Sequence, residues 1–515
     1  MTKRAAAAFV LLAGLAALFR FPELALRPMH CDEAVNADQL GVLLEQGRYQ
    51  YTAQDFHGPT LEYLSLVFAK AAGIRRYVDL SETLVRMVPA LLGVLLVAAQ
   101  FLMVPYLGLR ASAMSALFTA VSPVMVYFSR YYIHEMLLVL LAYFALIALF
   151  GYLRTRRAVW AMALGLLAGL IYATKETVVV VAGCMFLAGL AAWLTGKREA
   201  VRVPVAHLAL AAMVAAAVAA LFLSSFLTYP RGVMDSLTAF GAYFMRAAGL
   251  HTVHLHPWNY YLQLLLFFHQ PGKPVWSEGL ILAAALAGAW AAFSNPKSLP
   301  LRFLASYALF LLLIYSAIPY KAPWNILGFV QVEIMLAGAG VAWLFERFRS
   351  PGARYAIIAA ALIGIGHLGW LAWTGSTRYG ADPANPWVYA HTSTDVFSIV
   401  QRVESLAAAD PRHYAVPVQV ISAENLWPLP WYFRRFTNIG WAKGVPPGPA
   451  APLILATPDR EPAITHKLYE EPPPGHREMY MNAFDRYVEL RPNVEIRGYA
   501  VKDLWDAWQQ RGAAR

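Results

Sequence analysis

Ionisable residues interrupt the apolar runs of this 515-residue sequence at a few places, and several of them could do chemistry together. Asp32 and Glu33 form an adjacent acidic pair soon after the first apolar run. Charged groups are costly within or beside a membrane, so they are functional candidates there. As catalytic groups, Asp32 and Glu33 could supply a general base, or a base beside a metal-ligating carboxylate. Alternatively, both acids simply begin a helix, whose free N–H groups favour carboxylates.

Basic, acidic and histidine residues supply further candidates, namely His57, Arg130, His134, Glu135, Lys175 and Lys321. Arg130 could bind a phosphate, since guanidinium matches phosphate oxygens in pairs, or it could be an ordinary interfacial anchor. Lys175 could form a local ion pair with Glu176. Lys321 has no acidic neighbour in sequence, which favours an anion-binding role. His57 precedes Gly-Pro and could be either a ligand or a turn residue.

Three of these side chains, His57, His134 and Glu135, would allow a divalent metal ion, although His134 and Glu135 could instead pair with Arg130. No other cofactor is indicated. Tyr320, beside Lys321, is an aromatic candidate for substrate contact. Trp431 is another, and it could stack on a sugar, lie at the membrane surface or belong to a buried aromatic cluster.

The composition predicts that a membrane domain positions these residues. The sequence is 59% hydrophobic and 14% charged, whereas soluble domains have about 25% charged residues. About eleven apolar runs have lengths typical of transmembrane helices or close to them. They cover 5–21, 84–107, 111–128, 135–153, 158–173, 177–195, 204–227, 276–293, 301–319, 324–345 and 355–374. A shorter apolar stretch, 260–268, is expected to lie in the interface.

The sequence therefore predicts a mostly α-helical, polytopic membrane bundle over residues 1–375, with a first outer loop at 22–83. For residues 376–515 the sequence predicts a soluble, extracytoplasmic α/β domain. Within it, 395–408 is helix-like, whereas 416–421 and 453–456 are strand-like.

The net charge of +11 belongs to the membrane part, because residues 375–515 hold 15 basic and 15 acidic residues. The basic residues cluster in the N-terminus and in short connections around 154–157, 197–202, 297–302 and 347–354. The positive-inside rule places these on the cytoplasmic side of a cell membrane, with the first run as an uncleaved anchor. The candidate residues then lie on the outer face. The charge is a topology signal, and no nucleic-acid partner is indicated. Cys31 and Cys184 suggest neither a disulfide nor zinc binding.

This constellation suits sugar transfer from a polyprenyl phosphate. The phosphate is a good leaving group, so the chemistry needs a base for the acceptor and cations for the departing phosphate. Asp32 could supply the base. The cations could be Arg130, Lys175 and Lys321, and the transmembrane helices could form a groove for the lipid.

The chain also resembles the polytopic glycosyltransferases of the C superfamily, near the protein O-mannosyltransferases and the lipid A aminoarabinose transferases. Its closer likeness is to an uncharacterised prokaryotic, flippase-associated subgroup. The likeness covers most of residues 1–435, and the order of short motifs carries it. These motifs are His30–Ala34, Phe56–Leu61, Arg86–Ala90, Ser122–Arg130, Thr174–Thr177, Tyr320–Trp324 and Trp427–Tyr432.

The resemblance implies inverting transfer from a polyprenyl-phosphate sugar to an unknown acceptor, with Asp32 as the base. Where the aminoarabinose enzymes have Glu-Lys before Pro-Pro, this sequence has His57-Gly58. His57 would then keep a metal or substrate role, and Lys321 or Arg130 would replace the missing lysine. The alternative function is a lipid-linked sugar flippase or a binding subunit without catalysis. The lack of a phosphate-loop motif and the clustering of candidates on one face favour the enzyme.

Overall fold

A computed structural model describes residues 3–52, 57–196, 202–250, 254–294 and 298–513. Phe56, Lys197, Arg198 and Lys297, to which the sequence analysis gave a motif or topology role, lie outside these ranges. Contacts between Cα atoms divide the chain into two units. The membrane unit comprises Met1–Leu24, Val42–Arg75 and Leu80–Tyr389, and the C-terminal unit comprises Ala25–Gly41, Arg76–Asp79 and Ala390–Arg515.

Seventeen α-helices are described up to residue 376. They are α1 Lys3–Arg20, α2 Cys31–Gln46, α3 Thr60–Ala71, α4 Glu82–Ala99, α5 Val104–Leu107, α6 Leu109–Val121, α7 Pro123–Phe128, α8 Glu135–Thr155, α9 Ala158–Tyr172, α10 Val178–Leu194, α11 Val205–Leu223, α12 Arg231–Ala247, α13 Tyr260–Leu266, α14 Gly279–Ser294, α15 Leu299–Ala317, α16 Leu327–Arg347 and α17 Pro351–Ser376. Two short strands, β1 Phe268–His269 and β2 Val275–Trp276, pair antiparallel.

The helices confirm the prediction of a polytopic membrane protein. Six described helical segments are long and apolar enough to cross a membrane, and five further apolar helices have 10–17 residues. Together they fall on the eleven predicted runs. The run predicted at 111–128 is divided, because Ser122 ends α6 and Pro123 begins α7. A proline is well accommodated in the first turn of a helix, where its missing N–H would have no intrahelical partner.

Small residues let the central helices approach closely. A methyl group added at Gly340 of α16 would lie 1.9 Å from the carbonyl oxygen of Ala284 in α14. One added at Gly288 of α14 would lie 2.0 Å from the carbonyl oxygen of Leu336. Such contact between backbones is how membrane helices gain packing energy where no hydrophobic effect drives them together. Replacing either glycine would therefore separate the two helices.

The segment between α11 and α14 contains a helix that the sequence analysis did not anticipate. Helix α12 exposes Met234, Leu237 and Phe244 on one face, at 62%, 56% and 70% of their surface. An amphipathic helix next to a span is suited to the membrane interface. Helix α13 is too short to span a membrane, as predicted for 260–268, and it buries Tyr261 and Leu265 completely.

The C-terminal unit contains a mixed sheet. Its strands are β3 Val418–Ile421, β4 Ile439–Ala442, β5 Leu453–Ala456, β6 Tyr480–Asn482, β7 Glu489–Arg491, β8 Val494–Glu495 and β9 Arg497–Val501, and its helices are α18 Asp395–Ala409, α19 Leu429–Tyr432, α20 Glu461–Thr465 and α21 Lys502–Ala513. Five strands have the order β4-β3-β5-β9-β6, while β7 and β8 form a hairpin. Strand β3 is parallel to β4 and β5, and β9 is antiparallel to β5 and β6.

Helix α18 and strands β3 and β5 match the predicted elements. The unit also includes the segment Ala25–Gly41, which contains the acidic pair and which is predicted from the sequence as part of the first outer loop of the membrane domain.

Candidate active site

In the membrane unit, the turn before α3 is locked against the turn after α9. A methyl group at Gly58 would lie 2.0 Å from the carbonyl oxygen of Ala173, so the two backbones meet directly. The hydroxyls of Thr60 and Thr174 lie 2.7 Å apart. This contact brings His57, Lys175 and Glu176 to one place, although His57 and Glu176 are 119 residues apart in sequence.

Glu176 is the partner of His57. His57 Nδ1 lies 2.8 Å from Glu176 Oε2, and Tyr51 donates to Glu176 Oε1 at 2.8 Å. The Tyr243 hydroxyl, from the amphipathic helix α12, lies 3.0 Å from His57 Nδ1. Burial acts to raise the pKa of Glu176, but the neighbouring His57 and the hydrogen bonds outweigh it and lower the pKa to about 2. Glu176 is therefore a carboxylate at neutral pH.

Lys175 pairs with Glu135 at the start of α8, not with its sequence neighbour Glu176. Both partners are nearly covered, with 7% and 5% of their surface exposed. Burial acts to lower the pKa of Lys175, but the Glu135 carboxylate outweighs it and raises the pKa. The ammonium is therefore charged beside the apolar helices.

His134 has a buried acidic partner that the sequence analysis missed. Its Nε2 donates to the carbonyl oxygen of Gly58 at 3.0 Å and lies 3.5 Å from Glu62 Oε2. Glu62 is completely buried in α3. Burial acts to lower the pKa of His134, and the carboxylate of Glu62 raises it overall. Glu62 could have been singled out from the sequence, because it is an acid inside an apolar helix. Nothing in the sequence indicates that its partner is His134.

The predicted metal set has other partners in this arrangement. The rings of His57 and His134 are 5.3 Å apart, but Glu135 is paired with Lys175 and His134 Nε2 with Gly58. Within the described part of the chain, no group of three or more His, Cys, Asp or Glu side chains is arranged to hold a metal ion. A metal at these residues stays a prediction.

A narrow apolar cavity with a volume of about 30 Å³ begins at the Lys175–Glu135 pair. It lies between α8, α10, α15 and α16. Its walls include Leu138, Ala142, Leu146, Val181, Leu311, Tyr315, Trp324, Gly328 and Val332. The walls are hydrocarbon-like, and an ammonium group paired with a carboxylate lies at one end of the cavity.

Lys321 lies in the connection between α15 and α16. Its Nζ donates to the carbonyl oxygens of His256, at 3.2 Å, and Ile318. Among the described carboxylates, none forms an ion pair with it. Burial lowers the pKa of Lys321. The backbone of Tyr320 forms an isolated antiparallel β-bridge with Leu255, and the centre of its ring lies 5.8 Å from that of His254.

The guanidinium of Arg130 is hydrogen-bonded to the backbone at the C-terminal end of α1. It donates to the carbonyl oxygens of Phe19, Arg20 and Glu23 at 3.2–3.3 Å. The carbonyls of Phe19 and Arg20 are groups that a helix leaves without intrahelical partners at its C-terminus, and Glu23 lies in the turn that follows α1. The predicted contact of Arg130 with a phosphate stays a prediction, and the structure gives the side chain a capping role as well.

The two acids in the C-terminal unit differ in their surroundings. Glu33 is completely buried. Its carboxylate accepts hydrogen bonds from the two terminal guanidinium nitrogens of Arg27, at 2.9 and 3.1 Å, and from the backbone N–H of His30, at 2.9 Å. The side chain of Asp32 is 51% exposed, and its N–H donates to His30 Nδ1 at 3.1 Å. Both acids occupy the first turn of α2. Asp32 is therefore the carboxylate open to a ligand, and Glu33 holds the turn.

Residues far along the chain fix the backbone before Asp32. The Met29 N–H donates to the Tyr432 hydroxyl at 2.9 Å, and the Thr392 hydroxyl donates to the Met29 carbonyl oxygen at 2.7 Å. Trp431, beside Tyr432, is completely buried, with the Arg434 guanidinium 4.0 Å from its ring centre. A ring so covered has no face open to a sugar, which favours the buried aromatic cluster that the sequence left as an alternative.

Comparisons with known proteins agree on the architecture. Residues 66–223 match the family model of dolichyl-phosphate-mannose-protein mannosyltransferase. No curated protein is significantly similar to the sequence. The structure of ArnT from Cupriavidus metallidurans bound to undecaprenyl phosphate superposes with a TM-score of 0.64 and 16% identity, over 95% of this chain and 97% of that one.

A second solved structure is similar over most of its length. The oligosaccharyltransferase AglB from Archaeoglobus fulgidus, in complex with an inhibitory peptide and a dolichol-phosphate, gives a TM-score of 0.57 at 13% identity, over 90% of this chain and 70% of that one. At these identities the likeness is one of fold. The chain is thus a multi-pass membrane protein with the fold of the C-superfamily glycosyltransferases, as the resemblance of its short motifs had predicted.

Proposed function

We propose that this protein transfers a sugar from a polyprenyl-phosphate-linked donor to an acceptor lipid, glycan or protein. The apolar cavity that begins at Lys175 and Glu135 is the observation that carries the proposal. Its apolar walls suit contact with an isoprenoid chain, and the phosphate of such a lipid is attracted to a buried ammonium. ArnT, which shares the fold, has been solved with undecaprenyl phosphate.

In the proposed reaction Asp32 is the general base. It accepts the proton of the acceptor hydroxyl or amide, whose oxygen or nitrogen then attacks the anomeric carbon of the donor sugar. The bond from that carbon to the phosphate oxygen breaks, and polyprenyl phosphate leaves with the electron pair. Attack from the face opposite the phosphate inverts the anomeric configuration. The exposure of Asp32 and the burial of Glu33 support this division of roles.

Lys175 and Lys321 are the proposed cations for the phosphate. Cations placed before the reaction stabilise the charge that develops on a leaving group. His57, Arg130 and Tyr320 remain proposed substrate contacts. A divalent metal at His57, His134 and Glu135 would need Glu135 to exchange its Lys175 partner for the ion.

The proposed orientation puts this chemistry on the outer face of the cell membrane. Helix α8 runs from Glu135 to a basic connection at Arg156 and Arg157, and α9 returns to Lys175. Helix α16 similarly leads from the Lys321 side to Arg347. The positive-inside rule then places the basic ends and the N-terminus in the cytoplasm and the C-terminal unit outside.

The test compares Asp32→Asn with the wild-type chain and with Asp38→Asn, a change of the same kind on the same helix. Cell-surface glycans and lipid-linked sugars would be quantified by mass spectrometry in cells that express each variant. We expect Asp32→Asn to abolish the product and to accumulate the donor at equal protein level, while Asp38→Asn stays close to wild type. An unchanged glycan profile for Asp32→Asn would exclude the catalytic role. Movement of the lipid across vesicles without any transferred sugar would instead identify a flippase.

A further inference from the structure

A second cavity lies in the C-terminal unit, formed by other residues than those around Asp32. Its volume is about 330 Å³, and its walls come from strands β8 and β9, from Asn482 of β6 and the loop 484–487 after it, and from the first residue of α20. Ligand sites for small molecules have volumes of about 300–1,000 Å³. The cavity is thus large enough for a small ligand.

Two of its carboxylates, those of Glu461 and Glu495, are bound by the same arginine. Arg497 Nε donates to Glu495 Oε1 at 2.8 Å, and the same guanidinium pairs with Glu461. Tyr499 donates to the other oxygen of Glu461 at 3.1 Å. A carboxylate has about four acceptor positions, so each one retains capacity for hydroxyl donors. The result is a preorganised set of planar acceptors.

Aromatic rings lie among these polar groups. Phe484 packs on the strand at Gly498, where an added methyl group would lie 2.7 Å from the Phe484 ring. Tyr487 is 56% exposed. An aromatic ring offers an apolar face, and Tyr adds a hydroxyl at its edge. Apolar faces beside fixed acceptors suit a ligand that has both C–H faces and hydroxyl groups.

The charges of the lining argue against an ionic ligand. Three carboxylates and two guanidiniums line the cavity, from Glu461, Asp485, Arg486, Glu495 and Arg497. Arg497 has carboxylate partners within the lining, and Arg486 pairs with Asp395 at 2.9 Å. An anion would therefore meet an excess of carboxylates, and a cation would have to displace Arg497.

We propose that this cavity binds a neutral oligosaccharide. Its pyranose C–H faces would lie on Phe484 and Tyr487, and its hydroxyls would donate to Glu461 and Glu495 and accept from Asn482. That the bound glycan is an acceptor, or the product grown on one, rests on the proposed transferase function. Binding itself does not.

Saturation-transfer NMR on the full-length protein tests this binding, in a detergent without a sugar headgroup. The probes are neutral di- and trisaccharides of glucose, galactose, mannose and N-acetylglucosamine, with a glucuronate disaccharide as the acidic comparison. We expect at least one neutral probe to bind, and Tyr487→Ala to weaken it about tenfold, a loss equal to about 1.4 kcal/mol. Asn482→Ala changes an exposed residue of the same lining and should weaken it too. Trp441→Ala, an exposed aromatic on β4 at the opposite edge of the sheet, should not.

The proposal is overturned if no neutral probe receives saturation, if the acidic probe binds more tightly, or if both lining variants bind as the wild type does. The assay contains no donor lipid. A wild-type level of transfer by Asp32→Asn would therefore refute the catalytic proposal and leave the saccharide site standing, whereas loss of saccharide binding alone would leave the catalytic proposal standing.

Discussion

The Met29 backbone N–H donates a hydrogen bond of 2.9 Å to the hydroxyl of Tyr432, 403 residues later in the chain. Met29 is completely buried and lies three residues before Asp32. The C-terminal unit therefore supplies part of the frame that holds the proposed base.

Tyr432→Phe should lower the rate of transfer while leaving the chain folded. The change removes the acceptor of a buried N–H, which costs about 1–3 kcal/mol. We expect kcat to fall more than KM rises, because the turn that carries Asp32 loses a fixed position. Steady-state kinetics on purified protein measure both constants, with Tyr414→Phe as the control. A fall in kcat of the same size for Tyr414→Phe, or a rise in KM with an unchanged kcat for Tyr432→Phe, would contradict the positioning role.

Thr392→Val removes the hydroxyl that donates to the Met29 carbonyl oxygen. Transfer should fall in the same way, and Thr392→Ser, which keeps the hydroxyl, should restore most of it. Equal rates for the valine and serine variants would show that this hydrogen bond does not position the turn.

Glu176→Gln should destabilise the membrane unit in a way that depends on pH. The folded-state pKa of Glu176, about 2, lies below its ordinary value of 4.5. The carboxylate therefore stabilises the fold above about pH 4.5, and this stabilisation is lost as the pH falls toward 2. Melting temperatures in detergent should differ most near neutral pH and converge in acid. The exposed change Glu346→Gln is the control, and a difference that grows in acid would contradict the assignment.

The two lysines should respond differently to removal. Lys175→Met leaves Glu135 buried without its partner, which typically costs about 3–5 kcal/mol, so the chain should melt early. Lys175→Met with Glu135→Gln should recover stability but not the binding of undecaprenyl phosphate. Lys321→Met leaves no described carboxylate unpaired and should weaken that binding with little loss of stability. Native mass spectrometry measures the bound lipid, and full binding by the double variant would exclude Lys175 as a phosphate ligand.

Enlarging Ala142, on the wall of the apolar cavity, tests the position of the lipid tail. Ala142→Trp should abolish the use of a long-chain donor and preserve the use of an analogue with two isoprene units, because only the long tail needs the filled volume. Ala212→Leu, at an exposed position on α11, is the control. Equal loss with both donors would place the tail elsewhere.

The sequence by itself determined the membrane architecture and most of the candidates. Runs of apolar residues must become helices in a bilayer, because each backbone N–H and C=O needs an internal partner there. For this reason all eleven runs could be located from composition alone. Charged residues beside such runs are costly, which singled out Asp32, Lys175 and Lys321 without any structure.

The tertiary structure decided the pairings and the unit to which each residue belongs. Lys175 is adjacent to Glu176 in sequence, yet it pairs with Glu135, and Glu176 pairs with His57. Sequence proximity says little about such choices, since successive residues in a turn point in different directions and meet whatever the helix packing brings. Only the tertiary structure shows that Glu62 lies beside His134, that Arg130 contacts the end of α1 and that Trp431 is buried. Hydropathy fixes where a helix forms, but only the packing of helices and strands fixes which side chains share a site.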